Sequence, residues 1–194
     1  MKIVLCGPPH SGKSCLKYGL KEAIRGIPGA PYPYVITACP DGEGSWYQET
    51  YSAHPELAES LKRSYKGKFT EEQVEKWAKW VVSCSEPLTI VDIGGLPDDK
   101  NERICRGATH AVLLSGDAGQ FPVWRQFCHT ASLQVIAEVY SDYRGNEDRM
   151  MQAGEDGVYR GSVHYLERGD VSVQHRPTVV QLASIIVELA AQEK

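Results

Sequence analysis

Apolar and polar positions alternate between two habits along this chain. Short, unbroken apolar runs recur: Lys2–Cys6, Tyr34–Ala38, Leu88–Asp92, Ala108–Ser115 and Leu133–Tyr140. Runs of this length, bounded by Gly, Pro or Asp, predict strands buried on both faces. Between them lie stretches with helical spacing, at Cys15–Arg25, Tyr47–Tyr65, Glu71–Ser83, Asp98–Arg106 and Phe121–His129. Thr70 is a predicted N-cap, with Gln73 at the capping-box position. Pro177 opens a last helix carrying Val179, Leu182, Ala183, Ile186, Leu189 and Ala190 on one face. Strand and helix in alternation predict an α/β fold of three layers, with a mostly parallel five-stranded sheet and right-handed crossovers. Arg144–Arg168 has weak periodicity. It reads as an insertion, either a small hairpin or an excursion over the ligand face, within one domain spanning 1–194.

The junction of the first strand and first helix carries the strongest chemical signal. Gly7-Pro8-Pro9-His10-Ser11-Gly12-Lys13-Ser14 fits G-x-x-x-x-G-K-[ST] in full, and Cys15 continues it into the helix. Strand before and helix after is the context this phosphate-binding loop requires. Backbone N–H groups at the positive end of a helix dipole suit phosphate oxygens. Lys13 is expected as a solvent-facing point charge toward the β/γ-phosphates, and Ser14 as a hydroxyl ligand of Mg²⁺. His10 is a contact to the γ-phosphate edge or to a partner subunit, or else an exposed spacer.

The third apolar run ends in Asp92, as in a Walker B strand whose carboxylate reaches the Mg²⁺ shell. Asp92-Ile93-Gly94-Gly95 also fits D-x-x-G, in which Gly95 would offer its N–H to the γ-phosphate. Ile93 stands where ring-forming AAA ATPases place a catalytic Glu. No N-K-x-D segment follows the fourth or fifth strand, so adenine is the expected base and ATP with Mg²⁺ the expected ligand pair.

Other candidates are two-sided. Asp41 and Glu43, in the loop after the second strand, would serve as general base, water-positioning group or Mg²⁺ contact, or else form an Asx-type turn. Lys66 and Lys68, with Arg63 behind them, read as a cationic lid over the phosphates or as a solvated helix end. Trp77 and Trp80 read as core or interface anchors. Of 194 residues, 21 are Lys or Arg and 25 Asp or Glu, a net charge of −4. That balance argues against a protein that coats nucleic acid. The six cysteines are scattered, without C-x-x-C, and read as reduced, mostly buried thiols of a cytoplasmic protein. A zinc site drawn from distant cysteines is the other reading. No apolar run is long enough for a membrane span.

The local wording G-P-P-H-S-G-K-S, A-C-P-D-G-E-G-S-W, Y-K-G-K-F-T and V-D-I-G-G resembles the AAA-labelled P-loop domain fused to CRISPR-associated ring nucleases of type III systems. Most of the chain resembles the P-loop NTPase superfamily. The resemblance implies a regulatory nucleotide-binding module in cyclic-oligoadenylate signalling. It implies no nuclease activity in this chain, with a ring nuclease as partner or a homo-oligomer as the assembly. The leading expectation is a slow Mg-ATP-binding NTPase acting as a switch or assembly module. A small-molecule kinase, with Asp41 or Glu43 holding an acceptor hydroxyl, and a non-hydrolysing binding module are the alternatives.

Overall fold

The apolar runs become the strands of one sheet, because each is long enough to cross a core and leaves few side chains for water. The computed structural model describes residues 1–39, Glu56 and 69–193. The strands are β1 (Lys2–Cys6), β2 (Pro33–Ala38), β3 (Leu88–Ile93), β4 (His110–Ser115), β5 (Gln134–Asp142), β6 (Arg149–Ala153) and β7 (Tyr159–His164). They lie in the order β2-β3-β1-β4-β5-β7-β6. All neighbours are parallel except the β6/β7 pair. Residues of β3 and β4 are buried without exception, as double-sided burial demands.

Helices cover both faces. Helix α1 (Lys13–Arg25) and helix α5 (Pro177–Gln192) share a core with Leu5, Ile90, Val112 and Val139. Helices α2 (Glu71–Ser83), α3 (Asp99–Cys105) and α4 (Gln120–Thr130) share the other with Val4, Val91, Ala111 and Leu113. Thr70 caps α2 as expected, accepting from Gln73 N at 3.3 Å. Trp77 is buried, with its ring against Phe69, while Trp80 is exposed and meets Tyr34 edge-on. None of the six cysteines is in a disulfide, and four of them are buried.

The expected five-stranded sheet is corrected to seven strands among the described residues, and of the two readings of 144–168 the small hairpin is present, joined to the sheet. Residues 149–164 form the hairpin β6/β7, and β7 adds in parallel to β5. Its sequence hides the strands because β6 is an edge that buries only Met151. Helix α5 completes this edge. The Gln181 amide accepts from Met151 N at 2.7 Å and donates to Met151 O at 3.0 Å. Asp148, just before β6, accepts from Thr178 N in the first turn of α5 and from the backbone and ring of His164. The Asp148 carboxylate thus supplies, from 30 residues away, the cap that the residue preceding Pro177 lacks.

No helix among the described residues is long and apolar enough to cross a membrane.

Candidate functional site

In a parallel sheet every strand points its C-terminal end the same way, so the following loops gather at one edge. Here β1 ends at Cys6 and the chain turns through residues 7–12 into α1. Gly7 has φ 151°, and a Cβ there would stand 1.9 Å from the Leu114 carbonyl oxygen, so only glycine fits. His10 and Gly12 are left-handed, with φ 61° and 91°. The loop thereby curls back on itself before the positive end of the α1 dipole. Ser11 sits inside the curl. Its Oγ is buried and has no hydrogen-bond partner among the described residues.

Lys13 opens the helix, and its position corrects the expectation of a solvent-facing charge. It is buried, and Nζ donates to the carbonyls of Gly7 at 2.7 Å and Pro8 at 2.9 Å. The ammonium is therefore held across the loop, where carbonyl dipoles offset part of its desolvation.

Asp92 comes to the same place from β3. The β1/β3 register sets Leu5 opposite Asp92, so the carboxylate lies one strand over from the loop. It is buried, and Oδ2 accepts from Lys17 Nζ at 2.7 Å. Lys17 is one helical turn beyond Lys13 and also donates to Thr37 Oγ1 at 3.3 Å. This Lys17–Asp92 pair was not anticipated from the sequence. The available signal was a lysine four residues after Lys13 and next to Leu16, on the face of α1 that packs on the sheet.

The segment after Asp92 is braced. Asn101 Oδ1 accepts from Gly94 N at 3.1 Å, and Asn101 Nδ2 donates to Leu96 O at 2.8 Å. Asp98 in turn accepts from Asn101 N at 2.9 Å. This bracing holds Gly95 against the loop, where a Cβ would lie 2.6 Å from Pro9 N.

Together these parts line a cleft of about 460 Å³. The candidates Pro9, His10, Ser11, Gly12, Lys13, Ser14, Cys15, Asp92 and Gly95 all border it. Gly7 and Pro8 form the loop behind it. Asp41, Glu43, Arg63, Lys66 and Lys68 lie outside the described residues. Cys39, Glu167 and Arg168 border the cleft and were not singled out from the sequence. Glu167 and Arg168 follow β7, so the 144–168 segment both extends the sheet and reaches the cleft.

Chemically the cleft can hold an oxyanion. It combines a helix N-terminus, a partnerless buried hydroxyl, an ammonium at the loop and a carboxylate beside a half-buried Ser14. Cys6, directly before the loop, is no nucleophile. Burial, with the Cys128 thiol beside it, pushes its thiol well above the usual range. Among the described residues no group of three or more His, Cys, Asp or Glu is arranged to hold a metal. Ser14 and Asp92 offer side-chain oxygens and neither nitrogen nor sulfur, a donor type that suits a hard cation better than zinc. No protein-family model matches the chain and no curated protein is similar to it in sequence, so the reading of this cleft rests on its residues and their geometry.

Proposed function

We propose that the chain is a P-loop protein that binds Mg-ATP at residues 7–14 and works as a slow NTPase switch or assembly module. The observation that carries this reading is the buried, partnerless Ser11 hydroxyl inside a left-handed loop that Lys13 spans, at the mouth of a helix. A phosphate oxygen would satisfy that hydroxyl and give the Lys13 ammonium a charged acceptor in place of two carbonyls. Ser14 and Asp92 would hold Mg²⁺, which when bound neutralises charge on the β- and γ-phosphates.

Slow turnover is supported by the two carboxylates that border the cleft among the described residues, Asp41 and Glu43 lying outside them. Asp92 is engaged by Lys17, and Glu167 accepts from the Tyr143 hydroxyl at 2.5 Å. Neither stands ready to take a proton from water. Lys17 also sets a condition on metal binding, because Mg²⁺ at Asp92 must share that carboxylate with the lysine. The resemblance to domains fused to ring nucleases supports a place for this switch in cyclic-oligoadenylate signalling, beside a nuclease partner.

The test is calorimetric titration of Mg-ATP into wild type and Lys13→Ala, with product analysis in the presence and absence of cyclic oligoadenylates. Losing a charge-assisted contact to phosphate costs about 1.5–3 kcal/mol, roughly tenfold to a hundredfold in affinity. Unchanged binding in a folded Lys13→Ala protein would refute the assignment.

A further inference from the structure

We infer that Tyr143 and Tyr165 form a stacking platform for the purine base of the nucleotide whose phosphates the 7–14 loop holds. This rests on the nucleotide reading above and adds to it the part of the ligand that the phosphate loop does not read.

The sheet builds the platform. Strands β5 and β7 run in parallel with Asp142 opposite His164, so the next residue of each leaves the sheet side by side at the ligand edge. Tyr165 N donates to Asp142 O at 3.0 Å, extending the pairing by one step. The two rings stack with centroids 5.4 Å apart and planes 24° apart. They are 55% and 46% exposed, so each shields one face against the other and turns its outer surface to water. Two adjoining aromatic rings left in water at a ligand edge form a sequence-tolerant surface for a third flat ring.

The backbone adds a second observation. Tyr165 has φ 43°, in the left-handed region that Gly and Asn enter readily and a bulky side chain does not. Such strain persists only where the surroundings impose it, and it clusters at functional sites. The surroundings here are firm. His164 is held by Asp148 on one ring nitrogen and contacts Arg176 on the other, and Arg176 in turn donates to Asp170. Tyr143 is pinned through its hydroxyl to Glu167.

The same short segment connects the platform to the phosphate loop. Leu166, next to Tyr165, packs so closely on Gly12 that a Cβ there would be 2.8 Å from Leu166 Cδ1. Glu167 and Arg168 border the cleft itself. Residues 165–168 therefore run consecutively from an exposed ring to the lining of the cleft, the connection along which a base would extend from phosphates held at the loop. Stacking reads the π-face and not the edge, so it selects purine over pyrimidine more strongly than adenine over guanine.

The experiment titrates Mg-ATP and Mg-tripolyphosphate into wild type, Tyr143→Ala, Tyr143→Phe and Tyr165→Asn. Asn keeps the left-handed backbone while removing the ring. The platform requires Tyr143→Ala and Tyr165→Asn to lose about tenfold for ATP with tripolyphosphate binding unchanged, and Tyr143→Phe to stay near wild type. Wild-type affinity for ATP in all variants would overturn the platform and leave the phosphate loop standing. Equal losses for both ligands would make the rings supports of the loop and would equally overturn it. Wild type binding neither ligand would overturn the nucleotide reading and this proposal with it. Should the ring variants fail to fold, ATP and tripolyphosphate compared in wild type decide, because equal affinity for the two would leave the base without a contact and overturn the platform.

Discussion

Replacing Lys17 by Met tests the electrostatic logic of the site in isolation from any ligand. The Lys17 and Asp92 side chains are 4% and 2% exposed and 2.7 Å apart, and Thr37 takes a second bond from the ammonium. Met fills the volume of the lysine stem and removes the charge, leaving a buried carboxylate without its partner. Breaking a buried pair from one side costs about 3–5 kcal/mol, chiefly the desolvation of the stranded ion. Against a typical stability of about 5–15 kcal/mol this is a large fraction. For a chain of this size it corresponds to a fall of roughly 6–20 °C in melting temperature. Urea denaturation read at fixed slope measures the loss directly. The sharper test is a reversal of sign. Asp92→Asn should destabilise wild type, where it weakens a good ion pair. In the Lys17→Met background it should stabilise by about 2 kcal/mol, because it removes the stranded charge. A loss under about 1 kcal/mol in Lys17→Met, or the same direction of shift for Asp92→Asn in both backgrounds, would refute the reasoning.

Three further outcomes are expected. Asp92→Asn should weaken Mg-ATP binding more than Mg-free ATP binding, and equal losses in paired titrations would make Asp92 purely structural. Gly95→Ala should cost about 1–3 kcal/mol and weaken nucleotide binding together, because the added methyl meets Pro9 N at 2.6 Å; a protein as stable and as tight as wild type would show that the contact yields. Under iodoacetamide, Mg-ATP should slow modification of Cys39, which borders the cleft, and leave Cys84 unaffected. Cys6 and Cys105, whose thiols burial pushes up, should stay unmodified in the native protein, as peptide mass analysis would report.

Strands β1 to β5 were legible because double-sided burial writes an unbroken apolar run into the chain. Thr70 and the 7–14 loop were legible because their chemistry is local, held within a few consecutive residues. The hairpin was legible only as one of two alternatives, and its place in the sheet was not. Gly161 and Ser162 interrupt β7, only Met151 of β6 is buried, and the groups that hold the hairpin belong to a helix some 30 residues on. The Lys17–Asp92 pair was equally hidden, since its members are 75 residues apart and a lysine on a helix reads as surface until the sheet is placed beneath it. Lys13 was misjudged for a related reason. Its motif suggests a phosphate partner and gives no sign of the two carbonyls that draw it into the loop.

The dependence of β6 on α5 has a consequence for how the chain is made. Synthesis runs from the N-terminus, and domains build up as their segments emerge. Residues 149–164 leave the ribosome before 177–192, so Met151 has no Gln181 amide and Asp148 no helix end while the C-terminal residues are still being added. During that interval the hairpin presents an open edge, the kind of surface on which chains pair wrongly. Arrival of α5 closes it with the two Gln181 bonds to Met151, the Thr178 hydroxyl on the carbonyls of Arg149 and Ser162, and one carboxylate cap. A released chain truncated after residue 176 should therefore be cut by protease within 149–164, and one that includes 177–192 should resist. Tyr165 and the Leu166 contact on Gly12 follow directly on this hairpin, so a defect in α5 is felt at the turn of residues 7–12, which lies far from it in sequence.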